Sequence, residues 1–234
     1  MFVSWPNCGN ARDLAGIRIR AGRIRPGRLI RSDNLDQLTP AGLSEFRAAR
    51  ISRVVDLRSE WECRTFPSPI ADEPIWLNVP LSDVDDPDES HHDLVTQYCL
   101  LLDRAHARVG AAVAAIADAP AGNVVAACHA GKDRTGVIIA VTLSALGADD
   151  ASIADDYALT PVGMSEHAAA RQPHQPGSGQ MLPELAAPRR ETIVAMLKHV
   201  RARYDSVTDF LGRAGVAQSQ LDRIAGRLTA EATP

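Results

Sequence analysis

Cysteine is scarce in this sequence, and its placement excludes several kinds of site. Among 234 residues there are only four cysteines, Cys8, Cys63, Cys99 and Cys128, and no two of them form a Cys-x-x-Cys pair. So scattered a set does not suit a disulfide scaffold, and it shows no zinc-ligand spacing. The simplest interpretation is a reducing compartment, so we predict a cytoplasmic location.

Long apolar runs, a secretion signal and excess positive charge are missing too. No uninterrupted apolar stretch approaches the ~20 residues that cross a membrane. The opening residues have neither a basic start nor an apolar core, so we expect no cleaved signal peptide, although export by another route stays open. The net charge of −4 argues against a surface that generally attracts nucleic acid. The length suggests one domain over residues 1–234.

One stretch stands out for its chemistry. Val124 to Gly136 reads V-V-A-A-C-H-A-G-K-D-R-T-G, and it predicts a buried strand, a loop marked by Gly131 and then an apolar helix that ends at Gly147. In such a unit the backbone N–H groups converge at the helix N-terminus and bind an anion. Cys128 at the start of this loop would be held as a thiolate nucleophile, and Arg134 could grip two phosphoryl oxygens at once. Together these features indicate phosphoryl transfer to sulfur.

The residues of this loop resemble those of a known family. The run C-H-A-G-K-D-R-T-G is similar to the signature of the cysteine-dependent protein tyrosine phosphatases, in the bacterial branch that includes the secreted mycobacterial tyrosine/lipid phosphatases. Four further segments match motifs of that family in the expected order: N-A-R-D-L-A-G from Asn10, G-R-L-I-R-S-D-N from Gly27, V-V-D-L-R-S from Val54 and A-D-D-Y from Ala154.

The resemblance implies an α/β fold, with a central, mostly parallel sheet flanked by helices and the phosphate loop between a central strand and a helix. It implies hydrolysis of phosphomonoesters through a phosphocysteine intermediate, on phosphotyrosine proteins or on phosphoinositides, without a cofactor or metal. Phosphate, sulfate or vanadate would occupy the loop. One position departs from the family, because Ala127 stands where a histidine usually precedes the nucleophile. A phosphate-binding pseudo-phosphatase is therefore an alternative, and a redox or sulfur-transfer cysteine is another.

Roles in the site follow from the resemblance residue by residue. Cys128 is the expected nucleophile, and Thr135 is expected to stabilise the departing thiolate. The general acid is expected to be Asp133, inside the loop, or Asp83, in an acidic loop after the predicted strand Ile75–Leu81. The expected phosphate-binding residues are His129, Ala130, Gly131, Lys132, Asp133 and Arg134.

Supporting residues are expected around the loop. Asp56 and Arg58 end a predicted strand and either brace the loop or simply pair with each other. The resemblance implies that Arg12 lies close to the site. Turn signals predict a hairpin in this segment, and its other arginines up to Arg31 are expected to form a solvated face or else a basic surface for phosphorylated partners or anionic lipid.

Two longer segments complete the predictions. Apolar residues from Leu94 to Ile116 recur every three or four positions, which predicts one long helix with a bend at Gly110. The segment 160–188 is rich in proline and glycine and is too long for a plain connection, so we predict a lid or a flexible insertion there. Two amphipathic helices, from Glu191 and around Leu221, are expected to pack on the sheet.

Overall fold

A five-stranded sheet forms the centre of the computed structural model, which describes residues 1–82, 92–160 and 188–229. In spatial order its strands are β1 (Arg12–Asp13), β4 (Leu29–Ser32), β7 (Asn123–Ala127), β5 (Ile51–Asp56) and β6 (Trp76–Asn78). β1 is antiparallel to β4, and the other neighbours run parallel. The carboxyl ends of four strands therefore meet at one edge, where open α/β sheets bind their ligands.

Helices connect these strands and cover the sheet. Those in the described residues are α1 (Pro40–Ala48), α2 (Glu60–Thr65), α3 (Leu94–Arg104), α4 (His106–Ala117), α5 (Asp133–Ala145), α6 (Asp150–Ala158), α7 (Arg190–Tyr204), α8 (Val207–Arg213) and α9 (Gln218–Thr229). Alternate residues of β7 enter two different apolar clusters, with Val124 in the one that includes α5 and Val125 in the one that includes Phe46 of α1. The predicted mostly parallel sheet flanked by helices is confirmed.

The long helix predicted from Leu94 to Ile116 is wrong. The chain forms α3 and α4 instead, and the two helices meet at Ala105, whose φ of −110° and ψ of 25° leave the helical region. Gly110 lies inside α4, which continues through it without interruption. A Cβ there would stand 2.0 Å from the carbonyl oxygen of Ala214, so this glycine allows α4 to approach the end of α8 closely.

The arginine-rich N-terminal segment divides into an exposed and a buried part. β2 (Arg18–Ile19) and β3 (Gly22–Arg23) form the expected hairpin, as a separate two-stranded sheet. Its Arg20 N–H donates to the carbonyl of Leu146 at the end of α5, opposite the end that faces the loop. Arg31 does not belong to a solvated face as we expected, because it is only 1% exposed.

Three other expectations meet the structure in different ways. α7 and α9 pack chiefly on other helices, α7 on α6 and α3 and α9 on α4, and not on the sheet as expected. The acidic loop with Asp83 falls within residues 83–91 and most of the expected lid within 161–187, so both lie outside the described residues. Within the described part of the chain, no helix is long and apolar enough to cross a membrane.

Candidate active site

The loop between β7 and α5 begins at Cys128, which is 2% exposed, and runs into the helix at Asp133. It turns at Gly131, whose φ is +64°. A Cβ at that position would stand 2.7 Å from the backbone of Ser32 and Asp33 at the end of β4. A side chain would not fit in this space, and the positive φ also favours glycine. Gly131 therefore allows the loop to lie directly against the carboxyl end of the neighbouring strand.

Three consecutive carbonyl groups of the loop accept hydrogen bonds from residues outside the loop. The backbone N–H of Asn34 donates to the His129 carbonyl at 3.1 Å, and the Asn10 side-chain amide donates to the Ala130 carbonyl at 2.8 Å. An Arg31 Nη donates to the carbonyl of Gly131 at 2.6 Å. In a trans peptide the N–H group points opposite to the C=O group. The next three amides, those of residues 130–132, therefore point away from these donors and can bind an anion.

Arg31 belongs to a buried ionic network behind the loop. It donates to Asp156 Oδ2 at 2.7 Å, while Arg12 donates to Asp156 Oδ1 at 2.8 Å and to the side chain of Asn10. Burial and the charge of Arg31 lower the pKa of Arg12 to about 10. Burial opposes the charge of Asp156, yet the two arginines hold the pKa of that carboxyl below its usual value. One carboxylate thus anchors both guanidinium groups that support the loop.

Arg134 is held in place by Glu62. Its two Nη atoms donate to the two carboxylate oxygens of Glu62 at 2.5 and 2.7 Å. Glu62 also closes the capping box of α2, because its Oε2 accepts the Ser59 N–H while the Ser59 hydroxyl accepts the Glu62 N–H. Burial would lower the pKa of Arg134, but Glu62 and the charge of Cys128 raise it above its ordinary value. The guanidinium is therefore a fixed cation within electrostatic reach of the Cys128 sulfur.

The Glu62–Arg134 pair makes stability depend on pH in the acid range. Burial opposes ionisation of Glu62, but its hydrogen bonds with Arg134 and Ser59 lower its pKa from 4.5 to about 2. A carboxylate with a depressed pKa stabilises the fold above its unfolded pKa and loses that contribution as the pH falls through its folded pKa. We expect Glu62→Gln to cost about 3 kcal/mol of unfolding free energy near neutral pH, and this difference to shrink between pH 4.5 and 2.

Chemical denaturation of both proteins across this pH range measures the effect. Glu60→Gln is the matched control on the same helix, because Glu60 and its partner Arg64 are 74% and 70% exposed. That control should change the unfolding free energy by less than about 1 kcal/mol at every pH. A pH-independent difference for Glu62→Gln would contradict the assigned ionisation.

Asp133 stands at the rim of the loop and the start of α5. The Tyr98 hydroxyl donates to its Oδ1, and Lys132 Nζ lies 3.5 Å from the same oxygen. The side chain of Asp133 is still 40% exposed, so a bound substrate can reach it. Of the two candidate acids, Asp133 is thus the one that the structure places in the loop, whereas Asp83 lies outside the described residues.

Comparisons with known proteins agree with this geometry. The family model described as "Tyrosine phosphatase family" matches residues 3–230. The chain belongs to the tyrosine phosphatase family. It is also 28% identical, over an alignment of 271 positions, to the triple specificity protein phosphatase PtpB of Mycobacterium tuberculosis (strain ATCC 25618 / H37Rv), with 95% of this chain and 97% of that protein covered. The expected protein tyrosine phosphatase, of a bacterial kind, is confirmed.

Two of the expected supporting residues act on α2 in this phosphatase. Arg58 is paired with Asp56 through its Nε and Nη2 atoms, at 2.8–3.1 Å, and donates to the carbonyl of Phe66 just after the helix. None of their hydrogen bonds in the described structure reaches the phosphate loop. They therefore hold in place the helix that carries Glu62. Because Glu62 binds Arg134, the Asp56–Arg58 pair helps indirectly to position Arg134.

Thr135 and His129 occupy contrasting positions. Thr135 is fully buried in the first turn of α5, and its hydroxyl has no hydrogen-bond partner among the described residues. His129 is half-buried, and its ring centre lies 6.5 Å from that of Phe66, which in turn contacts the 49% exposed Trp61 at 6.3 Å. One side of the loop is thus flanked by aromatic rings.

Several important residues escaped the sequence-based predictions. The motifs that carried the resemblance contain Asn10, Arg31 and Asp156, but nothing local showed that these side chains meet behind the loop. Glu62 could have been found from the sequence, because Ser59-x-x-Glu62 has the spacing of a capping box, but the predictions did not use that pattern. Tyr98 looked like an ordinary core residue of a helix, since only its apolar spacing is visible in the sequence.

Proposed function

We propose that this phosphatase hydrolyses phosphomonoesters through a phosphocysteine intermediate on Cys128. The observation that carries the proposal is the loop itself: its carbonyls at residues 129–131 are all bonded outward, which leaves the following amides for an oxyanion. Cys128 starts that loop, and Arg134 is fixed nearby by Glu62. A nucleophile, an amide cradle and a planar cation are what in-line transfer to sulfur requires.

In the first step the Cys128 thiolate attacks phosphorus. The S–P bond forms while the bond to the leaving oxygen breaks, and Asp133 gives its proton to that oxygen. The amides of residues 130–132 and the Arg134 guanidinium hold the three equatorial oxygens, whose charge is greatest in the transition state. Hydrogen bonds from outside the loop fix its carbonyls and Glu62 fixes Arg134, so little reorganisation opposes the reaction.

In the second step water attacks the phosphocysteine. The Asp133 carboxylate accepts a proton from that water, the S–P bond breaks, and the electron pair returns to sulfur as inorganic phosphate leaves. The buried Thr135 hydroxyl, which has no partner in the described part of the chain, can donate a hydrogen bond to the returning thiolate. No proton is gained or lost over the whole cycle beyond those of the substrate and the water.

The side chains next to the phosphate loop favour phosphotyrosine as the main substrate. The rings of Trp61 and Phe66 meet edge to face, and Phe66 lies tilted against His129 of the loop, so these rings can contact the ring of a phosphotyrosine. Lys132 adds a cation at the rim, which also suits the several phosphates of a phosphoinositide. The relative from Mycobacterium tuberculosis is named a triple specificity protein phosphatase. We therefore propose additional activity toward other phosphoproteins or phosphoinositides.

A pseudo-phosphatase is the second candidate, and Ala127 is the observation that favours it. This residue ends β7 in an apolar cluster with Trp5 and Phe46, so a methyl group precedes the nucleophile where the family usually has an imidazole. The loop amides and Arg134 do not depend on that side chain. Binding of phosphate without turnover would support this second function.

Trapping the intermediate tests the proposed function. The enzyme is mixed with a phosphotyrosine peptide, quenched in acid within milliseconds, digested and analysed by mass spectrometry. We expect a phosphate group on the peptide that contains Cys128 and none on the peptides that contain Cys63 or Cys99. A parallel turnover assay on phosphotyrosine peptides, phosphoserine peptides and phosphoinositides defines the substrate range. Tight binding of vanadate without turnover or trapped phosphate would instead favour the pseudo-phosphatase.

A further inference from the structure

A buried chain of hydroxyl groups ends on Asp133. The Tyr98 hydroxyl donates to Asp133 Oδ1, and the hydroxyl oxygens of Tyr98 and Tyr157 are 2.6 Å apart. A tyrosine hydroxyl has a single proton, so Tyr157 must donate to Tyr98. Burial, followed by the charge of Asp133, raises the pKa of both tyrosines above the ordinary value, so both keep their protons. The chain therefore runs in one direction, from Tyr157 through Tyr98 to the carboxylate.

This arrangement makes the two oxygens of Asp133 different. Oδ1 accepts the Tyr98 proton and lies 3.5 Å from Lys132 Nζ. Oδ2 has no hydrogen-bond partner in the parts of the chain that the structure describes, and the side chain is 40% exposed. An acid that transfers a proton needs one oxygen free to carry it. Oδ2 is that oxygen, and the contact at Oδ1 limits rotation of the carboxyl group.

We propose that Tyr98 is a positioning residue for the general acid, holding Oδ1 of Asp133 so that Oδ2 delivers the proton to the leaving oxygen. This inference rests on the proposed function. As the O–H bond at Oδ2 breaks and the P–O bond of the substrate breaks, the carboxyl group becomes an anion. Hydrogen bonds to ionised acceptors are stronger than those to neutral ones. Tyr98 thus stabilises the transition state more than the ground state, which is the condition for accelerating the chemical step.

The leaving group provides a readout that a purely structural role would not move. The para-nitrophenolate ion leaves with little help from an acid, whereas the phenolate of tyrosine needs the proton. Loss of an acid's positioning residue should therefore slow poor leaving groups selectively. A general loosening of the loop should slow both substrates alike, because both use the same amides and the same arginine.

Tyr98→Phe tests the inference through kcat/KM for two substrates, a phosphotyrosine peptide and para-nitrophenyl phosphate. We expect a loss of about tenfold for the peptide and of no more than about twofold for the nitrophenyl ester. Tyr204→Phe is the matched control, because it removes a tyrosine–aspartate hydrogen bond of 3.0 Å to Asp103, between α7 and α3. That control should leave both values unchanged.

Asp133→Asn separates this inference from the proposed function. If Asp133→Asn slows the peptide selectively and Tyr98→Phe slows both substrates equally, the positioning role of Tyr98 is wrong and the acid stands. If Asp133→Asn shows no selectivity, Asp133 is not the acid and the positioning role of Tyr98 falls with it, whereas the phosphocysteine on Cys128 is still decided by the trapping experiment. Should Tyr98→Phe not fold, Tyr157→Phe takes its place, since it leaves the contact with Asp133 but removes the donor behind it. A smaller loss, still selective for the peptide, is expected there, and equal losses would overturn the inference.

Discussion

Cys128→Ser is expected to lower kcat by about 10⁴-fold or more while leaving oxyanion binding nearly intact. A serine hydroxyl is neutral near neutral pH and is a far weaker nucleophile than a thiolate. The groups that hold the anion are unaffected, because the loop carbonyls are bonded by Asn34, Asn10 and Arg31 and not by the sulfur. Steady-state turnover and vanadate or phosphate titration by calorimetry measure the two effects separately.

The other thiols provide controls with a physical basis. Burial and the nearby charge of Asp56 raise the pKa of Cys63 to about 12, and burial with the charge of Asp103 raises that of Cys99 to about 11. Both stay protonated near neutral pH and are poor nucleophiles. Cys63→Ser and Cys99→Ser should keep turnover within about threefold of the parent. An equal loss in Cys63→Ser, or loss of anion binding in Cys128→Ser, would contradict the assigned nucleophile.

The second large effect is expected in stability, at Asp156. This carboxylate is 6% exposed and accepts hydrogen bonds from both Arg12 and Arg31, which are 0% and 1% exposed. Asp156→Asn keeps the shape but leaves two buried guanidinium groups without their shared counter-charge. Breaking a buried pair in this way costs about 3–5 kcal/mol of unfolding free energy. Chemical denaturation measures it, and weaker phosphate binding should accompany it because Arg31 supports the loop at Gly131.

Two further variants test whether burial is the reason for the large loss of unfolding free energy expected in Asp156→Asn. Asp150 bonds Arg201 through both oxygens at 2.6 and 2.7 Å, but this pair is 31% and 38% exposed. Asp150→Asn should therefore cost less than about 1 kcal/mol. Arg12→Met removes one of the two cations and leaves Arg31 paired with Asp156, so it should cost less than Asp156→Asn. The reverse order would show that the shared carboxylate is not what balances the network.

The comparison of Glu60 with Glu62 shows how far local pattern reaches at this site. The sequence signals for the end of the strand, the turn and the following helix all lie in neighbouring residues. The capping box at Ser59 could therefore be predicted from spacing alone. Which glutamate meets Arg134 could not, because the two residues of the pair are 72 positions apart. That contact depends on the parallel pairing of β5 with β7, which brings the starts of α2 and α5 to the same edge.

The helices show the same contrast between what the local sequence predicts and what it leaves undecided. The periodicity from Leu94 onward located the apolar face of α3 and α4, but the break at Ala105 could not be predicted because no proline or glycine marks it. The predicted acid Asp133 was visible as part of a motif. Its partner Tyr98 was visible only as an apolar position, because a helical spacing does not distinguish a tyrosine whose hydroxyl is used from one that merely fills space.

Sequence alone determined the position of the loop and the phosphatase family, because the cysteine, glycine, aspartate and arginine lie within one short segment whose strand–loop–helix geometry is local. It also determined the fold class, through that segment and the ordered motifs around it. Tertiary structure alone decided what supports the loop: Arg12 and Arg31 on one carboxylate, Glu62 on Arg134 and Tyr98 on Asp133. These contacts join residues 35 to 144 positions apart, and only the packing of the sheet with its helices brings them together.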